Sequence, residues 1–525
     1  MSQLPIRKTG TGDQVDTRPM YIEEWLDTLP YIDFNKTAAL IEQALAATNK
    51  QEIKPSVRLD LMTLYHGPYE YYLESQIKAG AQHTLQTIEA MQSQLGVMKQ
   101  IAVHLSYGCK MAFDQSQTQK SFWKPGKPPY EAVLMSMNYL SQALIFSYLE
   151  YSPVPKNVWK QLNFIYDIAA SSQCEKRLFT IPGDEISNKG ISFEHAYKRI
   201  LMASLVDPHH LPFGAIWEIY EQLDSWVDKV SITSVEDTPV AEGKFIIDLN
   251  EDTKPINYDK YNKSQVSQST RLLDASELLK EVNFQLQVLE HGKPLDDSVI
   301  LSPFYTRTLL THMSNVWGLP PSRIHQRQNR KGQLELYTGI DAIYYFINNK
   351  QAFTPPDTNT DEEIDVSDVS IDNSDQTSSF IADNWRIVDE SSGGYALIRD
   401  DKPNRLLKVG QLVLVIGENA QQSKLATVRW MMISRKVHKV GLEIISTNSK
   451  AVAIKALTGS KSDQLYRPAL LINYRDNAEN RSIMAEKGLF IEDRELSVIV
   501  NNQEKTIKAN NLLESGVTCD VFKFS

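Results

Sequence analysis

Between residues 385 and 445 apolar and polar residues alternate with a period of two. The runs are too short for helices, and turn-forming residues separate them. A chain patterned this way is restricted to antiparallel sheet with one face buried. The runs lie at 406–415, 426–431 and 440–445. Ahead of them stands Asp389-Glu390-Ser391-Ser392-Gly393-Gly394. Asp and Ser side chains bond their own backbone and Gly tolerates positive φ, so these residues suit a turn. The spacing predicts that 385–445 closes into an antiparallel β-barrel with 389–394 in a turn at its mouth.

The D-x-S-x-x-G spacing of Asp389, Ser391 and Gly394 is followed by segments reading VG-x-x-V (409–413), VRW (428–430) and VGLE (440–443). That order resembles PilZ domains, the small β-barrels through which many bacteria sense cyclic di-GMP, and the resemblance covers roughly residues 320–450. It implies a nucleotide ligand, with an R-x-x-x-R segment upstream of the barrel signature. Arg323-Ile324-His325-Gln326-Arg327 has that spacing, and Arg330 follows. A guanidinium is flat and permanently charged, so it can bond phosphates and guanine edges bidentately or stack on a base. By resemblance, Arg323 and Arg327 are assigned to phosphate and guanine recognition. Asp389 and Ser391 would bond a guanine edge or phosphate, and Gly394 would permit a close backbone approach. Arg327 lies 62 residues before Asp389. Two arrangements are open: an insertion within one barrel, or a boundary between two.

The 525 residues exceed one ordinary core. Residues 1–235 read as helices, with apolar positions at three-to-four spacing in Leu40, Ile41, Ala44, Leu45 and Thr48, and in Leu134, Met137, Leu140, Leu144 and Tyr148. Residues 236–350 read as mixed α/β, with a strand at 244–249, an amphipathic helix at 272–289, a strand at 333–337 and a helix starting near Ala342. Residues 351–380 form an acidic linker or insertion: eight acidic residues fall in 357–375, too polar for a packed core. The PilZ-like barrel occupies 381–450. Residues 451–525 are β-rich, with strands expected at 467–472, 488–491, 495–500 and 517–524. The expected fold class is therefore multidomain α + β: an all-α N-terminal region, a PilZ-like antiparallel barrel and a further C-terminal β unit.

A net charge of −10 and a pI near 5.6 argue against a nucleic-acid polymer as partner, whereas a small anion needs only a local basic pocket. No run of eighteen apolar residues occurs and the start lacks a signal-peptide core, which predicts a cytoplasmic protein without a membrane span. Cys109, Cys174 and Cys519 are too far apart for a zinc site and too few for a disulfide framework, and no P-loop, nucleophile-elbow or zincin motif is present. No catalytic residue, metal or cofactor is expected. Two functions remain open: a cyclic di-GMP effector whose helical N-terminal region relays the signal to a protein partner, or a PilZ-like adaptor for a motility or attachment machine that binds no nucleotide.

Overall fold

The computed structural model describes residues 15–78, 88–118, 129–180, 190–235, 241–302, 306–318, 327–328, 330–356, 380–401, 403, 406–417, 423–434, 437–460 and 463–525. Contacts divide the chain into two compact units, Met1–Ser322 and Arg323–Ser525.

In the first unit, among the described residues, eight α-helices precede the sheet: α1 Pro19–Asp27, α2 Phe34–Asn49, α3 Pro55–Tyr72, α4 Ile88–Thr118, α5 Tyr130–Leu149, α6 Val158–Ser171, α7 Phe193–Leu205 and α8 Ala215–Trp226. The breaks between them fall at the Pro and polar clusters of the sequence. Helix α5 is apolar and buried around most of its circumference, with Glu131, Asn138 and Gln142 forming one half-buried polar stripe. It is long and apolar enough to cross a membrane, yet 89 % of its most apolar stretch is buried among its neighbours. An antiparallel sheet in the order β1-β4-β2-β3 follows, built from Ser231–Ser234, Lys244–Asp248, Ile256–Asn257 and Thr270–Asp274. With α9 Ser276–Glu290 and α10 Thr306–Trp317 it shares the helices' apolar core. The helix expected over 272–289 therefore starts four residues late: Leu272 and Leu273 belong to strand β4, and their apolar side chains serve the sheet.

Arg58, fully buried at 0 % exposure, closes the end of α2. Its guanidinium donates to the carbonyls of Gln51 (2.7 Å), just past the helix end, and Thr48 (3.4 Å) in the last turn, where the dipole favours a cation. Arg58→Ala is expected to destabilise the first unit by about 2–3 kcal/mol, because the Gln51 carbonyl would lose its charged donor and the fully buried side chain would leave a cavity. A lowered thermal midpoint by circular dichroism checks this, and an unchanged midpoint would contradict it.

The second unit holds two closed six-stranded barrels. The first runs β5 Gln333–Thr338, β6 Asp383–Ser391, β7 Gly394–Arg399, β8 Leu412–Gly417, β9 Ser423–Ser434 and β10 Val437–Ser446, closed in the order β10-β7-β6-β5-β8-β9. Its strand β5 precedes the acidic stretch and pairs with both β6 and β8, so 333–446 is one interrupted barrel. Helix α11, Ile340–Ile347, follows β5. The acidic stretch 357–375 lies outside the described residues. The second barrel runs β11 Ser449–Ala456, β12 Arg467–Asn473, β13 Arg481–Glu486, β14 Glu495–Val500, β15 Gln503–Ser515 and β16 Cys519–Phe524, in the order β11-β12-β13-β16-β15-β14. Counted from each barrel's own first strand, the connectivity is identical.

The two barrels share an apolar core. Leu412, Leu414, Leu425 and Ile445 on the outside of the first meet Leu470, Ile472, Met484 and Val521 of the second, with Ala342 and Ile343 of α11. Two expectations fail locally. Residues 488–491 form no ladder, because Leu489 and Phe490 plug the barrel end, Phe490 against Phe522 at 5.2 Å. The strand expected from 406 begins only at Leu412, after a turn at Gly410 with φ +81°, where Gly410 and Gln411 already bond Val428 of β9.

Candidate functional site

Strand β6 starts with its apolar side chains inside the barrel: Trp385 opposite Leu334, Ile387 opposite Leu397. Register then slips by one residue at Val388, so that Asp389 faces Ala396 and Ser391 faces Gly394. One extra residue in a strand moves all that follows to the other face. Without this bulge Asp389 and Ser391 would point into the apolar interior. With it both stand on the outer surface, just before the two-residue turn Ser392-Gly393 that leads into β7.

The small residues of the neighbouring strands extend this outer surface. In register, Ser391 lies beside Gly394, which lies beside Glu443. Asp389 lies beside Ala396, then Gly441, then Trp430. A Cβ on Gly394 would fall 1.9 Å from the carbonyl oxygen of Leu442, and a Cβ on Gly441 would fall 1.8 Å from Trp430 Nε1. The close backbone approach expected at Gly394 is therefore made by strand β10, and the Trp430 indole lies across Gly441. Trp385 is core, whereas Trp430 is half-buried on the signature face.

Arg327, at the end of the basic segment, reaches the same face despite the 62-residue separation. Gln328 and Glu390 exchange both backbone hydrogen bonds (2.8 and 3.0 Å), and the amide of Ile387 donates to the Gly332 carbonyl (3.0 Å). The chain ahead of β5 thus continues along β6, with Arg327 opposite Ser391. Arg327 Nη1 donates to Asp389 Oδ2 at 3.2 Å, and Arg330 Nη1 to Glu390 Oε2 at 2.7 Å. Arg327 is 47 % exposed and Asp389 20 %. Arg323 lies outside the described residues. Glu390 escaped the reading of the sequence: as the unspecified position of D-x-S-x-x-G it carried no signal.

On the far side of the glycine floor is a second charged group. Arg429 donates to Glu443 (2.5 Å) and Glu514 (3.2 Å), and Arg475 pairs with Glu443 at 3.2 Å. Burial works against the charge on Arg429, yet the attraction of Glu514 and Glu443 holds its pKa above the ordinary value. Tyr474 donates to Glu514 at 3.0 Å; burial, with Glu514 beside it, pushes its hydroxyl up to about 12.

Among the described residues no three metal-ligating side chains come together. Burial pushes the Cys109 thiol up to about 12 and that of Cys519 up to about 11, the opposite of an activated nucleophile.

Two family patterns match the chain. That described as "Cyclic-di-GMP receptor FimW, N-terminal domain" covers residues 21–238, and "Cyclic-di-GMP receptor FimW, middle PilZ domain" covers 244–368 and 356–451. The second begins within the sheet that packs on the N-terminal helices, so its matched span crosses the boundary between the compact units. The cyclic-di-GMP receptor FimW of Pseudomonas aeruginosa strain PAO1 is 23 % identical over 512 residues, covering 87 % of this chain and 82 % of its own length.

Proposed function

This chain belongs to the PilZ-containing FimW family, and we propose that it acts as a cytoplasmic cyclic di-GMP-binding effector that relays the second-messenger level to a protein partner through its helical N-terminal region. The observation that carries this reading is the meeting of the arginine segment with the D-x-S-x-x-G strand on one outer face. Cyclic di-GMP brings two phosphates and two guanine bases. Arg323 and Arg327 supply charge and planar donors to them, and Asp389 and Ser391 bond a guanine edge or phosphate. The ion pair between Arg327 and Asp389 is no obstacle. A half-exposed pair contributes about 0–1 kcal/mol, less than a charge-assisted bond to a phosphate. Relay requires that the nucleotide bind one arrangement of the protein better than another.

Calorimetric titration of the full chain with cyclic di-GMP tests the reading. Saturable binding in the micromolar range or tighter is expected. No detectable heat at high micromolar nucleotide would leave the PilZ-like adaptor as the function.

A further inference from the structure

The C-terminal barrel repeats the connectivity of the first, so its own signature position can be located. In the first barrel the second and third strands are joined by Ser392-Gly393; in the C-terminal barrel the same connection is 474–480, Tyr-Arg-Asp-Asn-Ala-Glu-Asn. It carries no D-x-S-x-x-G. Instead it leans on strand β10 of the first barrel. Asp476 accepts from the Thr447 amide (2.7 Å) and hydroxyl (3.0 Å), just past the end of β10. Arg475 and Asp476 both hold positive φ, 55° and 54°. Non-glycine residues avoid that region unless their surroundings hold them there. The bonds to Thr447 do so, and they fix the direction in which Arg475 leaves the loop.

That direction leads to the signature face. Arg475 reaches Glu443, whose neighbour in register is Gly394, whose neighbour is Ser391. Strands lie about 4.8 Å apart, so a guanidinium on Glu443 stands roughly 10 Å across the glycine floor from Ser391. A ligand with two phosphates needs cations on both sides of such a floor, and Arg327 stands on only one. Arg475 is 59 % exposed and held by the one-third-exposed Glu443 carboxylate and by the Tyr474 ring at 5.5 Å, so an incoming anion can draw it away from the carboxylate at little cost.

We propose that the C-terminal barrel has no nucleotide site of its own and lends Arg475 to the site on the first barrel, where it binds the ligand phosphate on the side opposite Arg327. This rests on the cyclic di-GMP reading above, and the test separates the two. The full chain and its Arg475→Ala, Arg475→Lys and Glu443→Gln variants are titrated with cyclic di-GMP, and the thermal midpoint of each is measured. The expected results are affinity at least about tenfold weaker in Arg475→Ala, a smaller loss in Arg475→Lys, affinity kept or increased in Glu443→Gln, and midpoints close to that of the unaltered chain. If the unaltered chain binds and Arg475→Ala binds equally well, Arg475 is not a ligand residue and this inference fails alone. If Arg475→Ala lowers the midpoint, Glu443→Gln decides, because it removes the same ion pair, together with that to Arg429, while keeping the Arg475 guanidinium: equal loss of affinity in both variants overturns the inference, and loss in Arg475→Ala alone sustains it. No binding by the unaltered chain overturns both readings.

Discussion

Gly394→Ala is expected to destabilise the first barrel by about 3 kcal/mol or more and to abolish nucleotide binding with it. The added Cβ would stand 1.9 Å from the carbonyl oxygen of Leu442, an atom of the backbone rather than the end of a movable side chain. Relief requires β7 and β10 to separate, and they are bonded along Gly394–Arg399, with Ile444 donating to the Gly393 carbonyl besides. Chemical unfolding followed through the fluorescence of the buried Trp385 measures the loss; a denaturation midpoint equal to that of the unaltered protein would refute it. The glycine of D-x-S-x-x-G is thus demanded by strand packing whether or not a ligand is bound, so its presence alone speaks for the barrel. Loss of binding in Gly394→Ala would say nothing about contact with the nucleotide.

The double variant Arg323→Ala/Arg327→Ala is expected to weaken cyclic di-GMP binding about a hundredfold or more. Each arginine would lose charge-assisted bonds worth roughly 1.5–3 kcal/mol, and the Arg327–Asp389 pair that forms in their absence offsets at most about 1 kcal/mol. Loss of the half-exposed Arg327 side chain should hardly change stability. Calorimetry at two salt concentrations is the measurement, and affinity in the unaltered chain should fall as salt rises. Tight binding retained in the double variant would keep the receptor and move its site elsewhere.

Legibility in the sequence followed burial on one face. Strands β9 and β10 were read only through their central residues, 426–431 of Ser423–Ser434 and 440–445 of Val437–Ser446, where the apolar run is densest; the flanking residues are mostly half-buried or exposed. Strand β13 was missed, and its Ser-Ile-Met-Ala run is buried throughout: Ile483 and Ala485 fill the second barrel, while Met484 lies in the core shared with the first. A strand apolar on both faces loses its period of two, and nothing in the sequence announced that a second barrel would cover that side. Asp389 and Ser391 were legible as a motif but their outward direction was not, because it depends on the bulge at Val388. Trp430 and Gly441 carried a readable hint. Small residues at Gly394, Ala396 and Gly441 on one outer face mark a floor on which something rests, and an aromatic residue on the adjoining strand belongs to that floor as much as to a core.

The ladder joining β5 to β6 bears on how this site could change over evolutionary time. The chain leaves the barrel after Thr338 and re-enters it at Asp383 in the adjacent strand, so whatever lies between begins and ends a few ångströms apart. Closing a longer excursion between fixed ends costs little, about 0.6 kcal/mol for each doubling of length. Insertions there are close to neutral for the barrel, and the linear distance between Arg327 and the D-x-S-x-x-G segment is free to drift while their distance in space stays constant. A search that demands a fixed interval between the arginines and the D-x-S-x-x-G would pass over a chain such as this one, so the interval is best left open and the two segments sought as a pair held together by their strands.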